Sequence, residues 1–280
     1  MARPTQATAA RQREAGAHSG NGLDARVDQS SIEAVDRAAR ILAALAASGR
    51  ESSLLEVASR SELSKPTTFR ILATLMSEGL VTQNDETSNY RLGTLPLDFA
   101  QAVLDGLPVR KIARPFMQAV RDKVNESVVL SVRQGDFRVN VDLIEAVNAI
   151  GHTQQIGVPI PLYAGAASRV FLADLSLDEL DAYLARTELV AFSPTTISER
   201  EKLLDEVARV RRDGFARSAA EFTVGSVAVA CLVRAPSGEG LASMHVSVPR
   251  SRASEELLNR AAEALKAGAA GLEQEIAQRG

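Results

Sequence analysis

The stretch that most constrains this chain is LSKPTTFRILATLMSEGL, residues 63–80. Ser64 is a strong helix N-cap residue, because its hydroxyl accepts a backbone N–H that would otherwise lack a partner. Pro66 falls in the first turn, where its missing N–H costs nothing. Phe69, Ile71, Leu72, Leu75 and Met76 then recur at near-helical spacing and predict a short helix with these residues on its buried side, stopped at Gly79. Lys65, Thr67, Thr68 and Arg70 crowd the polar side of its N-terminal half. Such a face is either solvated or pressed against something negative, and the neighbouring elements decide which.

Upstream, Ile32, Val35, Ala39, Leu42 and Leu45 mark one helix ending near Gly49, and Leu54, Leu55, Val57 and Ala58 a shorter second one. SRSELS is the turn between the second helix and the third, with Leu63 as its apolar plug. Downstream, Leu80–Thr82 and Tyr90–Leu92 flank a polar turn and read as a hairpin. Helix, helix, turn, helix, hairpin within residues 31–95 describes a winged helix-turn-helix. In that motif the second helix of the turn enters the major groove. Lys and Arg there contact phosphate or guanine, and Thr contacts phosphate or a thymine methyl. Charge limits the reading. The net charge is −3 and the pI near 5.8, so a basic surface must be local. Residues 31–95 hold seven Lys/Arg against eight Asp/Glu, and the expected wing tip, Asp85-Glu86, is acidic. Affinity has to come from focused contacts and from dimerisation.

Residues 1–30 are poor in large apolar side chains and are expected to be a disordered arm, with Arg3, Arg11, Arg13 and Arg26 as possible phosphate contacts. No apolar run reaches the roughly 18 residues of a membrane span, and the N-terminus has no apolar leader core, so a cytoplasmic location is expected. Tryptophan is absent and aromatics are 4%, which argues against a base-stacking platform. The single cysteine, Cys231 in VAVACLV, reads as an inert buried thiol.

Residues 96–107 read as a linker helix, and 108–280 as a second domain. A helix over Val109–Lys123 leads into two strands around a Gln-Gly-Asp turn, SVVLSVRQGDFRVNVDLIEA, and a third strand is expected in AIGHTQQI. Helices follow in AGAASRVFLADL, SLDELDAYLART and SEREKLLDEVARVRRDG, then an apolar hairpin and a closing helix. This is an α+β arrangement around a mostly antiparallel sheet. Small residues at 164–167, 228 and 230 leave either room for a ligand or close packing of helix on sheet.

Enzymatic chemistry finds little support. There is no G-x-S-x-G, no Gly-rich phosphate loop and no H-E-x-x-H. His18, His152 and His245 do not share metal-ligand spacing, so neither a metal nor a cofactor is expected. A hydrolase built on Ser168 and His245 lacks an identifiable third group and oxyanion hole. A ligand-independent DNA-binding or structural regulator is the other alternative.

The runs SIEAVDRAARILAAL, LLEVASRSELSKPTTFRILATLMSEGLV and NYRLG, with IPLYAGAASRVFLA, RRDGFA and GLASMHVSVP in the second half, resemble the IclR family of bacterial transcriptional regulators over roughly residues 31–277. The resemblance implies a winged helix joined to a GAF-like effector-binding domain. It implies a dimer or tetramer on a palindromic operator in double-stranded DNA, often repressing a catabolic operon in answer to a small organic or aromatic acid. Carried over, the DNA-binding positions are Ser64, Lys65, Thr67, Thr68, Arg70 and, beside the wing tyrosine, Arg91. Pro66 stands where many relatives have Ser or Thr. The effector positions are the backbone of Ala166 and Ala167, the Ser168 hydroxyl, and Ser218, Ala228, His245 and Ser247. Ser218 replaces an acidic residue common in the family, and Ala228 and His245 imply a ligand with a different body. Glu221 is the nearest acid expected to orient His245. Tyr163 is expected to pack, and Phe215 and Phe222 to flank the loop after GFA and form its apolar lid.

Overall fold

The computed structural model describes residues 32–147 and 154–279. The expected arm over 1–30, His152 and most of the strand expected in AIGHTQQI lie outside the described residues. Gln154, Gln155 and Ile156, its remainder, are not in a strand. The described residues form two compact units, one ending at Gly106 and the other beginning at Leu107.

In the first unit, α1 (Glu33–Ser48) ends at Gly49, which takes the left-handed conformation. Its buried residues are Ile41, Ala44 and Leu45, whereas Ile32 and Val35, expected on the apolar face, stay exposed. Next, α2 (Leu54–Arg60) opens with a capping box. Ser53 Oγ accepts from the Glu56 amide at 3.3 Å, and the Glu56 carboxylate accepts from the Ser53 amide at 2.8 Å. These bonds and Arg50 hold the Glu56 carboxyl down to about 2.

The third helix, α3 (Lys65–Ser77), is capped by Ser64 as expected, but its orientation differs from the expected one. The residues turned into the core are Thr68, Leu72 and Leu75; Phe69 and Met76 are exposed. Burying Thr68 is possible because its hydroxyl donates to the Ser64 carbonyl at 3.1 Å, so no polar group is stranded. Ile41, Leu45, Val57, Val81 and Tyr90 complete this small core.

The wing pairs β1 (Val81–Gln83) with β2 (Tyr90–Leu92), Val81 opposite Leu92. Ser52 adds a bridge by exchanging two backbone hydrogen bonds with Tyr90, at 2.9 and 2.8 Å. Gly93 closes the wing against the end of α3. A Cβ at that position would lie 2.2 Å from the Gly79 carbonyl oxygen. Then comes α4 (Leu95–Asp105), which buries none of its side chains.

The second unit is built on one sheet in the order β5-β4-β3-β8-β7-β6, every pairing antiparallel. The strands are β3 (Ser127–Gln134), β4 (Phe137–Ile144), β5 (Pro159–Pro161), β6 (Ala216–Ala219), β7 (Ser226–Arg234) and β8 (Gly240–Pro249). One face is covered by α5 (Pro108–Val124) and α9 (Glu255–Arg279). Gly268 and Gly271 let α9 approach closely: a Cβ there would sit 2.8 Å from Val120 and 2.9 Å from Phe116. Cys231 lies opposite Met244 on this face and is buried, which pushes its thiol up to about 12. Such a thiol is unreactive, as its apolar setting implied.

The other face carries α6 (Ala166–Asp174), with α7 (Leu177–Arg186) and α8 (Arg200–Asp213) packed around it. Strand alternation divides β8 between the two faces. Met244, Val246 and Val248 join the first; Ser243, His245 and Ser247 share the α6 side with their register partners Leu232, Ala230 and Ala228.

Candidate functional site

On α3, Ser64, Lys65, Pro66 and Arg70 are exposed. Thr67 is half-buried, with its hydroxyl 2.8 Å from that of Ser64. Thr68, expected among the DNA contacts, is 0% exposed and bonded to Ser64, so its side chain does not reach the outer surface. The outward row is instead Pro66, Phe69, Arg70, Ala73 and Ser77, all exposed and spaced at helical intervals. Phe69, 55% exposed at its centre, was missed as a surface residue. The 66-69-70-73-77 spacing is the signal that identifies it.

Arg91 is exposed on β2, its Nε 3.7 Å from Glu51. The Glu51 carboxylate also accepts from Asn84 at 3.0 Å and Thr87 at 3.2 Å, which fixes the wing turn. Asp85 and Glu86 stay exposed at the tip.

In the second unit, the sharp turn at Gly165 (φ 84°) starts α6 directly over the sheet, and Ala166, Ala167 and Ser168 are buried there. The register puts Ala228 opposite both Ser218 and Ser247, so these three share the α6-facing side with His245. A Cβ on Gly165 would lie 3.8 Å from the Ser218 hydroxyl. Ser247 Oγ accepts from Gln154 Nε2 at 3.0 Å and lies 3.2 Å from Ser226 Oγ. His245 is 2% exposed, and its Nδ1 has no hydrogen-bond partner among the described residues. Burial, then the charge of Arg138, pushes its pKa well below 6.5, so the imidazole is neutral.

Arg138, on β4, is a residue that sequence reasoning missed. It is 6% exposed, and its Nε donates to Ser168 Oγ at 2.9 Å. One terminal nitrogen donates to Ser131 Oγ at 3.1 Å and to Asn140 Oδ1. Asn140 Nδ2 in turn donates to the Gln155 carbonyl at 2.9 Å. Burial lowers the Arg138 pKa to about 9, still above neutrality, so the guanidinium remains charged. The two-residue step from Arg138 to Asn140 on a predicted strand is the only local sign that they share a face.

Glu221 does not orient His245. It forms a buried ion pair with Arg169 and accepts the Gly165 amide at 3.3 Å. Tyr163 packs as expected, its hydroxyl donating to the Val190 carbonyl at 3.0 Å. Phe222 stacks edge-on against Phe192 at 5.0 Å. Ser168 Oγ is engaged by a guanidinium rather than by His245, so the hydrolase pair is not assembled. Among the described residues no His, Cys, Asp or Glu cluster fits a metal ion, and no helix is long and apolar enough to cross a membrane.

A winged helix with an outward recognition row, in one chain with a sheet domain that buries a polar site under a helix start, defines a transcriptional regulator with its own sensing domain. The family model described as bacterial transcriptional regulator IclR C-terminal matches residues 101–274, and the IclR helix-turn-helix domain matches residues 34–85. The chain belongs to the IclR family of bacterial transcriptional regulators. It is 35% identical over 168 residues to the HTH-type transcriptional regulator KipR of Bacillus subtilis, covering 60% of this chain and 67% of that one. It is 27% identical over 230 residues to the HTH-type transcriptional repressor AllR of Escherichia coli K12, covering 82% and 85%. Its fold resembles the crystal structure of an IclR transcriptional regulator from Alicyclobacillus acidocaldarius, with TM-score 0.76 and 26% identity over 88% and 99% of the two chains.

Proposed function

We propose that this protein is a one-component cytoplasmic repressor that binds a palindromic operator as a dimer or tetramer and controls a small catabolic operon through a small organic acid. The start of α3, together with its outward row, carries the reading. Ser64, Lys65, Thr67 and Arg70 meet phosphate and base edges at the helix start, where the backbone dipole favours anions. Phe69 supplies an apolar contact for a thymine methyl, and Arg91 a phosphate contact from the wing. In the second unit, residues 108–280, the Ala166, Ala167 and Ser168 turn faces Ser218, Ala228, His245 and Ser247, and we assign the effector to this side of the sheet. Effector binding favours one arrangement of the DNA-binding units. A coupling of about 1–3 kcal/mol changes operator affinity roughly 5- to 150-fold.

The test is fluorescence anisotropy of the purified protein on duplexes from upstream of its own gene, between about 50 and 200 mM salt. The reading requires binding that weakens steeply with salt and is reduced by Arg70→Ala. Salt-insensitive binding, or an Arg70→Ala variant as tight as wild type, would refute the assignment of α3.

A further inference from the structure

The charges under α6 do not balance. Arg169 is neutralised by Glu221, and His245 is uncharged. Arg138 is buried, yet its partners are two serine hydroxyls and an asparagine oxygen, all neutral. Among the described residues no carboxylate forms an ion pair or hydrogen bond with it. A buried cation without a counter-charge is costly, and hydrogen bonds to neutral groups offset only part of that cost. Two further polar atoms on this face are buried and have no partner among the described residues: His245 Nδ1 and Ser243 Oγ. Ser243 lies opposite Ser131, which holds the guanidinium, and His245 is two residues along the same strand face. Next to these groups the face carries the small or apolar side chains of Ala166, Ala167, Ala228, Ala230 and Val129, and further along it the hydroxyls of Ser218 and Ser247, the latter already bonded to Gln154.

We infer that Arg138 is the receptor for the effector's single carboxylate, with His245 and Ser243 as secondary polar contacts, and that the ligand is a monocarboxylate with a compact apolar body. This deepens the sensor reading above and rests on it. One uncompensated positive charge calls for one negative charge. A dicarboxylate would bury a second anion with no partner, and a neutral amide would leave the guanidinium unpaired. The guanidinium is already oriented, since its Nε is bound to Ser168 and a terminal nitrogen to Ser131 and Asn140. Binding therefore spends little ordering entropy on it.

The experiment is thermal unfolding of the full chain with benzoate, pyruvate, benzamide and succinate, for wild type, Arg138→Met and Arg138→Lys. At about a hundred times the dissociation constant, a carboxylate that binds only the folded chain should raise the wild-type midpoint by roughly 5–10 °C. Benzoate or pyruvate should do this, and benzamide and succinate should not. Arg138→Met should lose the shift while its ligand-free midpoint is no lower than that of wild type; Arg138→Lys should keep part of it. Benzamide matching benzoate, or succinate matching pyruvate, overturns the inference without any variant. So does Arg138→Met with its shift intact, or no monoacid shifting wild type at all. The operator measurement separates the two readings. Salt-sensitive DNA binding that survives any of these outcomes leaves the regulator standing and removes only the monocarboxylate site.

Discussion

Arg169 on α6 and Glu221 ahead of β7 form an ion pair whose side chains are 1% and 8% exposed. The glutamate also accepts the Gly165 amide at 3.3 Å, and the arginine donates to the Arg217 carbonyl on β6. The pair fastens the start of α6 to the edge of the sheet and holds open the turn that brings Ser168 to Arg138.

Breaking that pair should be expensive. Glu221→Gln leaves Arg169 buried without a counter-charge, and a loss of about 3–5 kcal/mol is expected. Replacing both residues by leucine should recover much of it, because the isolated charge disappears. Urea denaturation of the two variants checks this. A single-variant loss under about 1 kcal/mol would show that the pair carries little.

His245 gives the protein a pH dependence of known sign. Its folded pKa lies below the ordinary 6.5, so the unfolded chain takes up a proton that the folded chain refuses. The associated stability is present above pH 6.5 and is lost as pH falls from there towards the lowered value, by at most about 1.4 kcal/mol per pH unit. Unfolding free energies between pH 7 and 5 should therefore slope less in His245→Gln than in wild type. Parallel curves would contradict a buried neutral imidazole.

On α3, two neighbouring residues should separate cleanly. Phe69→Ala removes an exposed side chain and should leave stability within about 0.5 kcal/mol. It should weaken binding most at operator positions that carry thymine, by roughly 1–3 kcal/mol. Thr68→Val, at a buried position, should cost about 1 kcal/mol of stability through the lost bond to Ser64, with the salt slope of DNA binding unchanged. Anisotropy titrations on methylated and uracil-substituted duplexes, with melting curves alongside, distinguish the two.

Gly93 sits where a methyl group has no room. Gly93→Ala places a Cβ 2.2 Å from the Gly79 oxygen and must displace the wing from α3. A loss of at least about 1–3 kcal/mol in the first unit is expected, with weakened operator binding. Amide exchange across Val81–Gln83 and Tyr90–Leu92 would report it, and unchanged protection there would rule the clash unimportant.

The elements of the first unit were legible because their punctuation is local. Ser64, Pro66, Gly49 and Gly79 mark helix ends whatever surrounds them. The rotation of α3 was not. Phe69, Ile71, Leu72 and Met76 spread over more than one face, and Thr68 entered the core because the Ser64 carbonyl stood ready to accept its hydroxyl. In the second unit, the alternation of β8 and the small residues of α6 placed one wall of the candidate site. Arg138 carried no such mark, since a lone arginine on a strand reads as solvent-facing until α6 is laid across it. The short strands Pro159–Pro161 and Ala216–Ala219 escaped for a related reason: three or four residues are too few to show a period.

The three neutral oxygens around Arg138 have a consequence for how this chain responds to selection. A buried charge that only a visitor can neutralise makes the empty protein less robust than it need be, and that deficit is what lets a small molecule register. Laboratory evolution towards heat resistance would then favour replacement of residue 138 early. The survivors would be sturdier regulators that still recognise their operator and no longer hear the signal.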